Sequence, residues 1–159
     1  MAIIGGSVAI EKDGKFYNTT YVYNKSGDLI NTYSKVHLFG LMAEDQYMSA
    51  GSSESVFELD GVTATSVICY DIRFPELAKL MAEAGAQILF YPGAFNMTTG
   101  PAHWELTFRS RALDNQVYCV GVAPALNKDA SYHSYGHSII ANPWGEVIVQ
   151  PVSYTHLRA

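Results

Sequence analysis

The chain has 159 residues, 48% of them hydrophobic and 16% charged, which suffices for one domain with a substantial core but not for two. Its formal net charge of -5 argues against nucleic acid or an anionic membrane surface as the main partner, because both require clustered lysine and arginine. No apolar run is long enough to span a bilayer, and two cysteines do not make a disulfide framework, so we expect a cytoplasmic protein.

The first part of the sequence predicts strands joined by hairpin turns. The Gly-containing turns EKDGKF and NKSGD separate three runs with strand composition, at residues 3–10, 16–24 and 29–35. Residues 36–55 lose this pattern and predict a long irregular loop, a feature that is often functional in compact domains. A further strand pair is predicted at residues 55–59 and 62–70 around the turn Asp60-Gly61.

From Pro75 onward the hydrophobic period becomes helical. Two helices are predicted, one that starts at Pro75 and stops at Gly85, and one that starts at Pro101 and ends near Asn115. Residues 87–92 and 117–125 predict short, nearly all-apolar strands, a composition typical of strands covered on both faces. A hairpin over residues 136–150 follows. Strands that alternate with helices predict an α/β fold, and the initial meander predicts that the sheet is mixed.

The end of the chain differs in character from the rest. The stretch SYTHLRA completes no helix or strand, and the strand before it has no obvious partner after it. We therefore interpret residues 1–150 as one partial domain. Residues 151–159 are expected to be a tail on a truncated chain, and our hypothesis is that this tail is foreign to the natural protein.

Cys69 is the first candidate for a catalytic residue. It ends the apolar run of SVICYDIRF shortly before the helix predicted at Pro75. A nucleophile on such an elbow projects into the crevice at the carboxyl end of a strand, where helix amides can bind an oxyanion. The alternative is a buried core cysteine, since free cysteine is among the most buried residue types. Cys119, within VYCVGV, is interpreted as core.

A thiol that attacks an amide needs a base and a group that stabilises the developing charge. Lys35, at the end of a predicted strand, could reach the crevice, depress the pKa of Cys69 and hold an oxyanion. The alternative for Lys35 is a surface lysine. No histidine suits Cys69 as a base, and only His133 and His137 fall four residues apart, in a loop-like stretch. We therefore predict no metal and no cofactor.

Four segments carry a family resemblance, and in sequence order they are YSKVHLFG, EDQYMSAG, VICYDIRFPEL and YPGAFNMTTGPAHWELTFRSRALDNQVY. Together they resemble the nitrilase (carbon-nitrogen hydrolase) superfamily, from near Ile3 to about Val149. CYDIRFPE and GAFNMTTGPAHWEL are especially similar to its omega-amidase branch, which hydrolyses the side amide of 2-oxoglutaramate and 2-oxosuccinamate. The resemblance implies that the chain forms part of a four-layer α-β-β-α sandwich with a mixed sheet.

The resemblance also implies roles for individual residues. Cys69 matches the family's nucleophile, Lys35 its catalytic lysine, and Glu44 a second glutamate that positions substrate and lysine. Lys35 and the backbone N–H of Tyr70 hold the oxyanion, ammonia leaves, and water hydrolyses the thioester. This chemistry uses a small-molecule amide and no metal, and the full-length protein is expected to form a homo-oligomer.

One catalytic group of the family has no match in the sequence. The general-base glutamate lies in an earlier βα unit, before the strand that begins here at Ile3. The glutamates that precede Cys69 are Glu11, Glu44, Glu54 and Glu58, and none of them has that context. The family's final sheet strand also has no match, so we expect weak or absent activity from the chain as printed.

Substrate-binding candidates lie after the two strands that lead into the helices. Arg73 could bind a carboxylate bidentately, or could instead form a structural ion pair with Asp71 or Glu76. The residues that follow the strand at 87–92 could line the same pocket or simply fill gaps; the candidates among them are Phe95, Asn96 and Thr99.

Two other functions remain open on the sequence. One is a non-catalytic fragment that only binds partners or other copies of itself. The other is a sibling hydrolase that acts on nitriles or N-carbamoyl compounds, which the omega-amidase-like segment TTGPAHWEL disfavours.

Overall fold

The computed structural model describes residues 1–52 and 55–151, and within these residues it contains two β-sheets with helices packed against one of them. The strands are Ile3–Ile4 (β1), Val8–Lys12 (β2), Lys15–Tyr23 (β3), Leu29–Ser34 (β4), Val56–Leu59 (β5), Val62–Ser66 (β6), Ile88–Pro92 (β7), Tyr118–Val122 (β8), Ile139–Ala141 (β9) and Val147–Val149 (β10). The α-helices are Glu44–Tyr47 (α1), Pro75–Glu83 (α2) and Gly100–Asn115 (α3), and two 3-10 helices cover Gly40–Met42 and Cys69–Arg73.

The first sheet is the predicted meander, with β3 at its centre. β4 pairs with one edge of β3, and β1 and β2 pair antiparallel with the other edge. The single strand predicted over residues 3–10 is wrong, because the chain leaves the ladder between Ile4 and Val8. Gly5 still donates its N–H to Tyr21 O at 2.9 Å. Two adjacent glycines weaken a strand and favour such an interruption.

The second sheet has six strands in the order β10-β9-β8-β7-β6-β5. β6, β7 and β8 are parallel neighbours, and α2 and α3 form the two crossovers between them. The outer pairs β5–β6, β8–β9 and β9–β10 are antiparallel. The predicted α/β fold with a mixed sheet is therefore confirmed.

The core lies on both faces of the six-stranded sheet. On β7, Ile88 and Phe90 pack towards the first sheet, while Leu89 and Tyr91 pack among the residues of the helix side. This alternation confirms the prediction that the strand is covered on both faces. The described residues thus form consecutive sheet, sheet and helix layers, as expected for part of a four-layer sandwich.

Two of the predicted segments differ from the structure in extent or in content. The strand predicted over residues 62–70 ends at Ser66, since the chain turns into the 3-10 helix at Cys69. The predicted loop over residues 36–55 is largely irregular where it is described, but it contains α1 and a 3-10 helix. The predicted tail at 151–159 lies, apart from Pro151, outside the described residues. None of the described helices has the length and apolar character needed to cross a bilayer.

Candidate active site

Cys69 occupies a sharp turn directly after a parallel strand. Its φ is 45°, in the left-handed region that non-glycine residues rarely adopt and that costs of order 1–3 kcal/mol. Gly93, at the end of the neighbouring β7, lies against it. A Cβ on Gly93 would stand 2.8 Å from Cys69 Cα and 2.9 Å from its Cβ. Glycine is therefore required at 93 for the two strand ends to approach this closely.

A cavity of about 1160 Å³ opens at this edge of the sheet. One wall comes from the residues that follow the carboxyl ends of β6, β7 and β8, the position where parallel sheets commonly bind ligands. The facing wall comes from the first sheet and the loop after β4, including Lys35 and Glu44. The site therefore lies between chain segments from both sheets.

The structure brings all of the predicted site residues to this one cavity. They are Lys35, Glu44, Cys69, Tyr70, Arg73, Phe95, Asn96 and Thr99. Among the described residues that line the cavity, Glu44 is the one carboxylate, and Lys35 and Arg73 are the lysine and arginine side chains.

Lys35 and Glu44 form an ion pair in the cavity wall. Lys35 Nζ lies 2.6 Å from Glu44 Oε2, and the side chains are 4% and 13% exposed. The same carboxylate oxygen accepts the N–H of Phe39 at 2.8 Å, and Oε1 accepts Asn18 Nδ2 at 2.9 Å. The surface-lysine alternative for Lys35 is wrong, because this network withdraws its ammonium group from solvent.

The network keeps Glu44 ionised. Burial raises the pKa of the Glu44 carboxyl, but hydrogen bonds from Asn18, Lys35 and the Phe39 N–H outweigh burial and hold the pKa below its ordinary value. A carboxylate with a lowered pKa and three donors is a weak proton acceptor. Glu44 is thus suited to hold Lys35 in place and poorly suited to deprotonate a thiol.

The pKa of the Cys69 thiol departs from the sequence-based expectation. Burial raises it, and the N–H of Ala94 and the charge of Lys35 lower it without overcoming burial. The expected depression is therefore wrong, because the sequence shows the cation but not the loss of solvent around the sulfur. A thiol in this state needs a base to become a nucleophile.

Arg73 binds neither of the carboxylates proposed for it. Its Nη2 lies 2.9 Å from His103 Nδ1, and its guanidinium lies over the Phe95 ring, 5.0 Å from the ring centroid. Asp71 is engaged elsewhere, and none of the ion pairs of the described residues includes Arg73. The structural ion-pair alternative is wrong, and the cation faces the cavity.

Asn96 and Thr99 line the cavity but also organise the loop before α3. Asn96 Oδ1 accepts the N–H groups of Thr98 and Thr99 at 3.0 and 2.8 Å and the hydroxyl of Thr99 at 3.0 Å. Phe95 packs edge-on against Trp104, with ring centroids 5.0 Å apart. These residues therefore shape the wall as well as contacting the cavity.

His103, Gly93 and Asp71 also lie at the site, although no site role was predicted for them. The signal for His103 is its helical spacing from Thr99, because residues four apart share a helix face. Gly93 and Asp71 have no comparable local signal, since the contact of Gly93 with Cys69 and those of Asp71 with Tyr33 and His37 join distant segments.

The remaining cysteine and the histidine pair behave as ordinary structural residues. Cys119 is fully buried in the helix-side core, as predicted, and burial raises its pKa to about 12. His133 and His137 each contact a backbone carbonyl oxygen, from Lys128 and Tyr135 respectively. In the described part of the chain, no group of three His, Cys, Asp or Glu side chains is arranged to hold a metal ion.

The sequence of the chain is similar to those of known carbon-nitrogen hydrolases. The carbon-nitrogen hydrolase family model matches residues 1–156. The chain is 51% identical over 155 residues to omega-amidase NIT2 of Xenopus tropicalis and 48% identical over 155 residues to omega-amidase NIT2 of Homo sapiens. Both alignments cover 93% of this chain and 56% of the relative, so the chain spans about half the length of the curated relatives it matches.

Solved structures show the same arrangement of elements. Nit3 of Saccharomyces cerevisiae, a member of branch 10 of the nitrilase superfamily, superposes with a TM-score of 0.91 and 41% identity. That match covers 96% of this chain and 56% of Nit3. The NitFhit protein of C. elegans superposes with a TM-score of 0.88 and 32% identity, over 97% of this chain and 40% of NitFhit.

Proposed function

The chain belongs to the carbon-nitrogen hydrolase family, and from this premise we propose that the protein is an omega-amidase that hydrolyses small carboxylate-bearing amides. 2-Oxoglutaramate and 2-oxosuccinamate are the proposed substrates. The observation that carries the proposal is the placement of the Cys69 thiol, the Lys35–Glu44 pair and the Arg73 cation on one cavity. The omega-amidase relatives support the same activity.

The proposed reaction proceeds through a thioester on Cys69. The thiol loses its proton to a base, and the sulfur attacks the amide carbon while the carbonyl oxygen becomes an oxyanion. Lys35 and the backbone N–H of Tyr70 stabilise that oxyanion. The protonated base then returns that proton to the amide nitrogen, the C–N bond breaks, ammonia leaves, and a thioester remains on Cys69. Water adds to the thioester carbon, and the acid product departs as the thiol is restored.

The base is proposed to be a carboxylate other than Glu44. Glu44 accepts three hydrogen bonds, and their combined effect on its pKa makes it a weak base. The nitrilase resemblance assigns the role of general base to a different glutamate, which lies in an earlier βα unit of the family. Such a carboxylate beside Cys69 and Lys35 would complete the cysteine, lysine and glutamate set.

Arg73 is proposed to bind the carboxylate at the far end of the substrate. A guanidinium has five N–H donors, and His103 occupies one of them, so the planar group can still address a carboxylate. The Phe95 ring lies against the guanidinium, with its centroid 5.0 Å from Arg73 Cζ, and stabilises it by a cation–π contact. This arrangement favours an acid amide over a neutral amide of the same length.

The test measures ammonia release from 2-oxoglutaramate by the chain as printed and by a longer protein that carries the upstream glutamate. We expect release by the longer protein, loss on Cys69→Ala or Lys35→Met, and a raised KM on Arg73→Met. A neutral amide, a nitrile and an N-carbamoyl amino acid serve as comparison substrates. The proposal is wrong if the longer protein prefers one of these three substrates, or if it releases no ammonia from 2-oxoglutaramate.

A cytoplasmic location and self-association complete the proposal. Both described cysteines are free, which suits a reducing compartment. Leu106 and Leu113 on the outer side of α3, and the nearby Trp144, are exposed apolar side chains that a second copy could cover. Cell fractionation and light scattering on the purified protein test these two points.

A further inference from the structure

Asp71 lies behind the cavity rather than in its wall, and both of its carboxylate oxygens are engaged. The residue is 1% exposed. Oδ2 accepts the Tyr33 hydroxyl at 2.8 Å and the Ile68 N–H at 2.9 Å. Oδ1 accepts the N–H of His37 at 2.9 Å and contacts its Nδ1 at 2.8 Å.

These partners flank the two proposed catalytic residues. Tyr33 and His37 each lie two residues from Lys35, on opposite sides of it, in what we term the lysine segment (residues 33–37). Ile68 immediately precedes Cys69, and Asp71 follows it by two, in the cysteine segment (residues 68–71). The lysine segment leaves the four-stranded sheet and the cysteine segment leaves the six-stranded sheet. One carboxylate therefore connects the two sheets at the catalytic position.

The protonation states required for this connection are consistent with one another. Four donors satisfy Asp71 only when it is ionised and His37 carries a hydrogen on Nδ1. Tyr33 remains a donor, because burial, followed by the charge of Asp71, raises the pKa of its hydroxyl far above the ordinary value. The His37 ring stacks on Phe74 with centroids 3.6 Å apart and planes 8° apart, which fixes its orientation.

The position of the carboxylate argues against two other roles for Asp71. It is not among the residues that line the cavity, and four donors already engage its two oxygens, so neither oxygen is placed to act as a base. As a device for stability alone it is a poor choice, because burying a carboxylate costs several kcal/mol that hydrogen bonds only offset. Asp71 instead fixes the separation between the lysine segment and the cysteine segment.

We infer that Asp71 is a positioning residue that clamps the lysine segment against the cysteine segment and so sets the Lys35 ammonium relative to the Cys69 sulfur. The inference rests on the proposed roles of Lys35 and Cys69. It makes the pairs Tyr33–Asp71 and His37–Asp71 responsible for site geometry, although none of the three side chains touches the substrate.

The test uses pairs of variants that differ in one donor. His37→Leu removes the side-chain donor, and His37→Asn restores an N–H at the same branch position. Tyr33→Phe removes one hydroxyl and little else. Asp71→Asn is not used, because it would place an amide hydrogen against backbone N–H donors. Lys35→Met gives the reference for a site without the ammonium charge.

The readout is the pH midpoint of iodoacetamide labelling at Cys69, followed by mass spectrometry on the chain as printed. We expect His37→Leu and Tyr33→Phe to raise the midpoint towards that of Lys35→Met by about half a pH unit, roughly a threefold loss of thiolate. His37→Asn should stay within error of the parent. Simple loosening would hydrate the thiol and lower the midpoint instead.

An unchanged or lowered midpoint in both His37→Leu and Tyr33→Phe overturns the inference, whatever happens to the free energy of unfolding. The outcome is separate from that of the proposed function, because labelling requires no amide hydrolysis. A raised midpoint in these variants together with an inactive longer protein would support the clamp and reject the omega-amidase.

Discussion

The Lys35 ammonium and the Glu44 carboxylate lie 2.6 Å apart in the cavity wall, where Lys35 is buried and Glu44 is only 13% exposed. Each group therefore depends on the other for its charge to be tolerated, since an unpaired charge in such a place loses its hydration without compensation. The pair couples the stability of the fold to the geometry of the proposed site.

Removing Glu44 should destabilise the protein strongly. Glu44→Ala leaves the Lys35 ammonium buried and unpaired, and we expect a loss of about 3–5 kcal/mol in the free energy of unfolding. Urea denaturation measures it. The matched control is Glu83→Ala, which removes the partner of Lys79 from a pair whose side chains are 70% and 62% exposed. That change should stay within about 0.5 kcal/mol, and equal losses in the two variants would contradict the prediction.

The Glu44 carboxyl should also contribute to acid unfolding. Its pKa in the folded state is lowered below the ordinary value of 4.5, so the unfolded state binds the proton more readily. The stability it contributes is present above pH 4.5 and is lost as the pH falls through the folded-state pKa. In Glu44→Gln the free energy of unfolding should therefore fall less steeply below pH 4.5 than in the parent. If the free energy of unfolding falls equally steeply with pH in Glu44→Gln and in the parent, the Glu44 carboxyl does not contribute to acid unfolding.

Cys69 should behave as a slow thiol at neutral pH. Burial raises its pKa, so the midpoint of iodoacetamide labelling should lie above the ordinary value of 9.0. Lys35→Met should move the midpoint higher still, because the ammonium lowers the pKa. Cys119 provides the internal control, since it is fully buried and should remain unlabelled in the folded protein. A midpoint below 9.0 would show that Lys35 outweighs burial.

Gly93 should tolerate no side chain. Gly93→Ala places a methyl group 2.8 Å from Cys69 Cα, so backbone must move, and we expect a loss of about 1–3 kcal/mol in the free energy of unfolding. Gly6→Ala is the control, because a Cβ there meets nothing within 4 Å. Thermal unfolding of the two variants measures the difference, and the prediction fails if their melting temperatures are equal.

His103 should matter for binding through Arg73. It accepts a hydrogen bond from the guanidinium on Nδ1, so His103→Leu releases the cation while His103→Asn keeps an oxygen acceptor at the same branch position. Calorimetric titration with 2-oxoglutarate, the acid product of the proposed reaction, should show about three- to tenfold weaker binding for the leucine variant. Binding by the asparagine variant should be close to that of the parent. Equal affinities of all three proteins for 2-oxoglutarate would show that His103 does not contribute to binding through Arg73.

Much of the fold could be predicted from the sequence because its signals are local. Proline at the start of α2 and α3, the apolar run of β7 and the glycine turns of the meander each act over a few residues. The interrupted first strand and the early end of β6 were missed, because pairing with β3 and the turn at Cys69 are decided by distant parts of the chain.

The features of the candidate site also fall into those predicted from the sequence and those decided by the tertiary structure. The sequence by itself determined that a cysteine stands at a strand-to-helix elbow and that a lysine ends another strand, and the family resemblance added Glu44. Only the tertiary structure decided that Asp71 ties the two segments together, that Arg73 is held by His103, and that burial raises the pKa of Cys69. Hydrogen-bond partners and desolvation depend on which distant segments meet in space, and no local pattern in the chain contains that information.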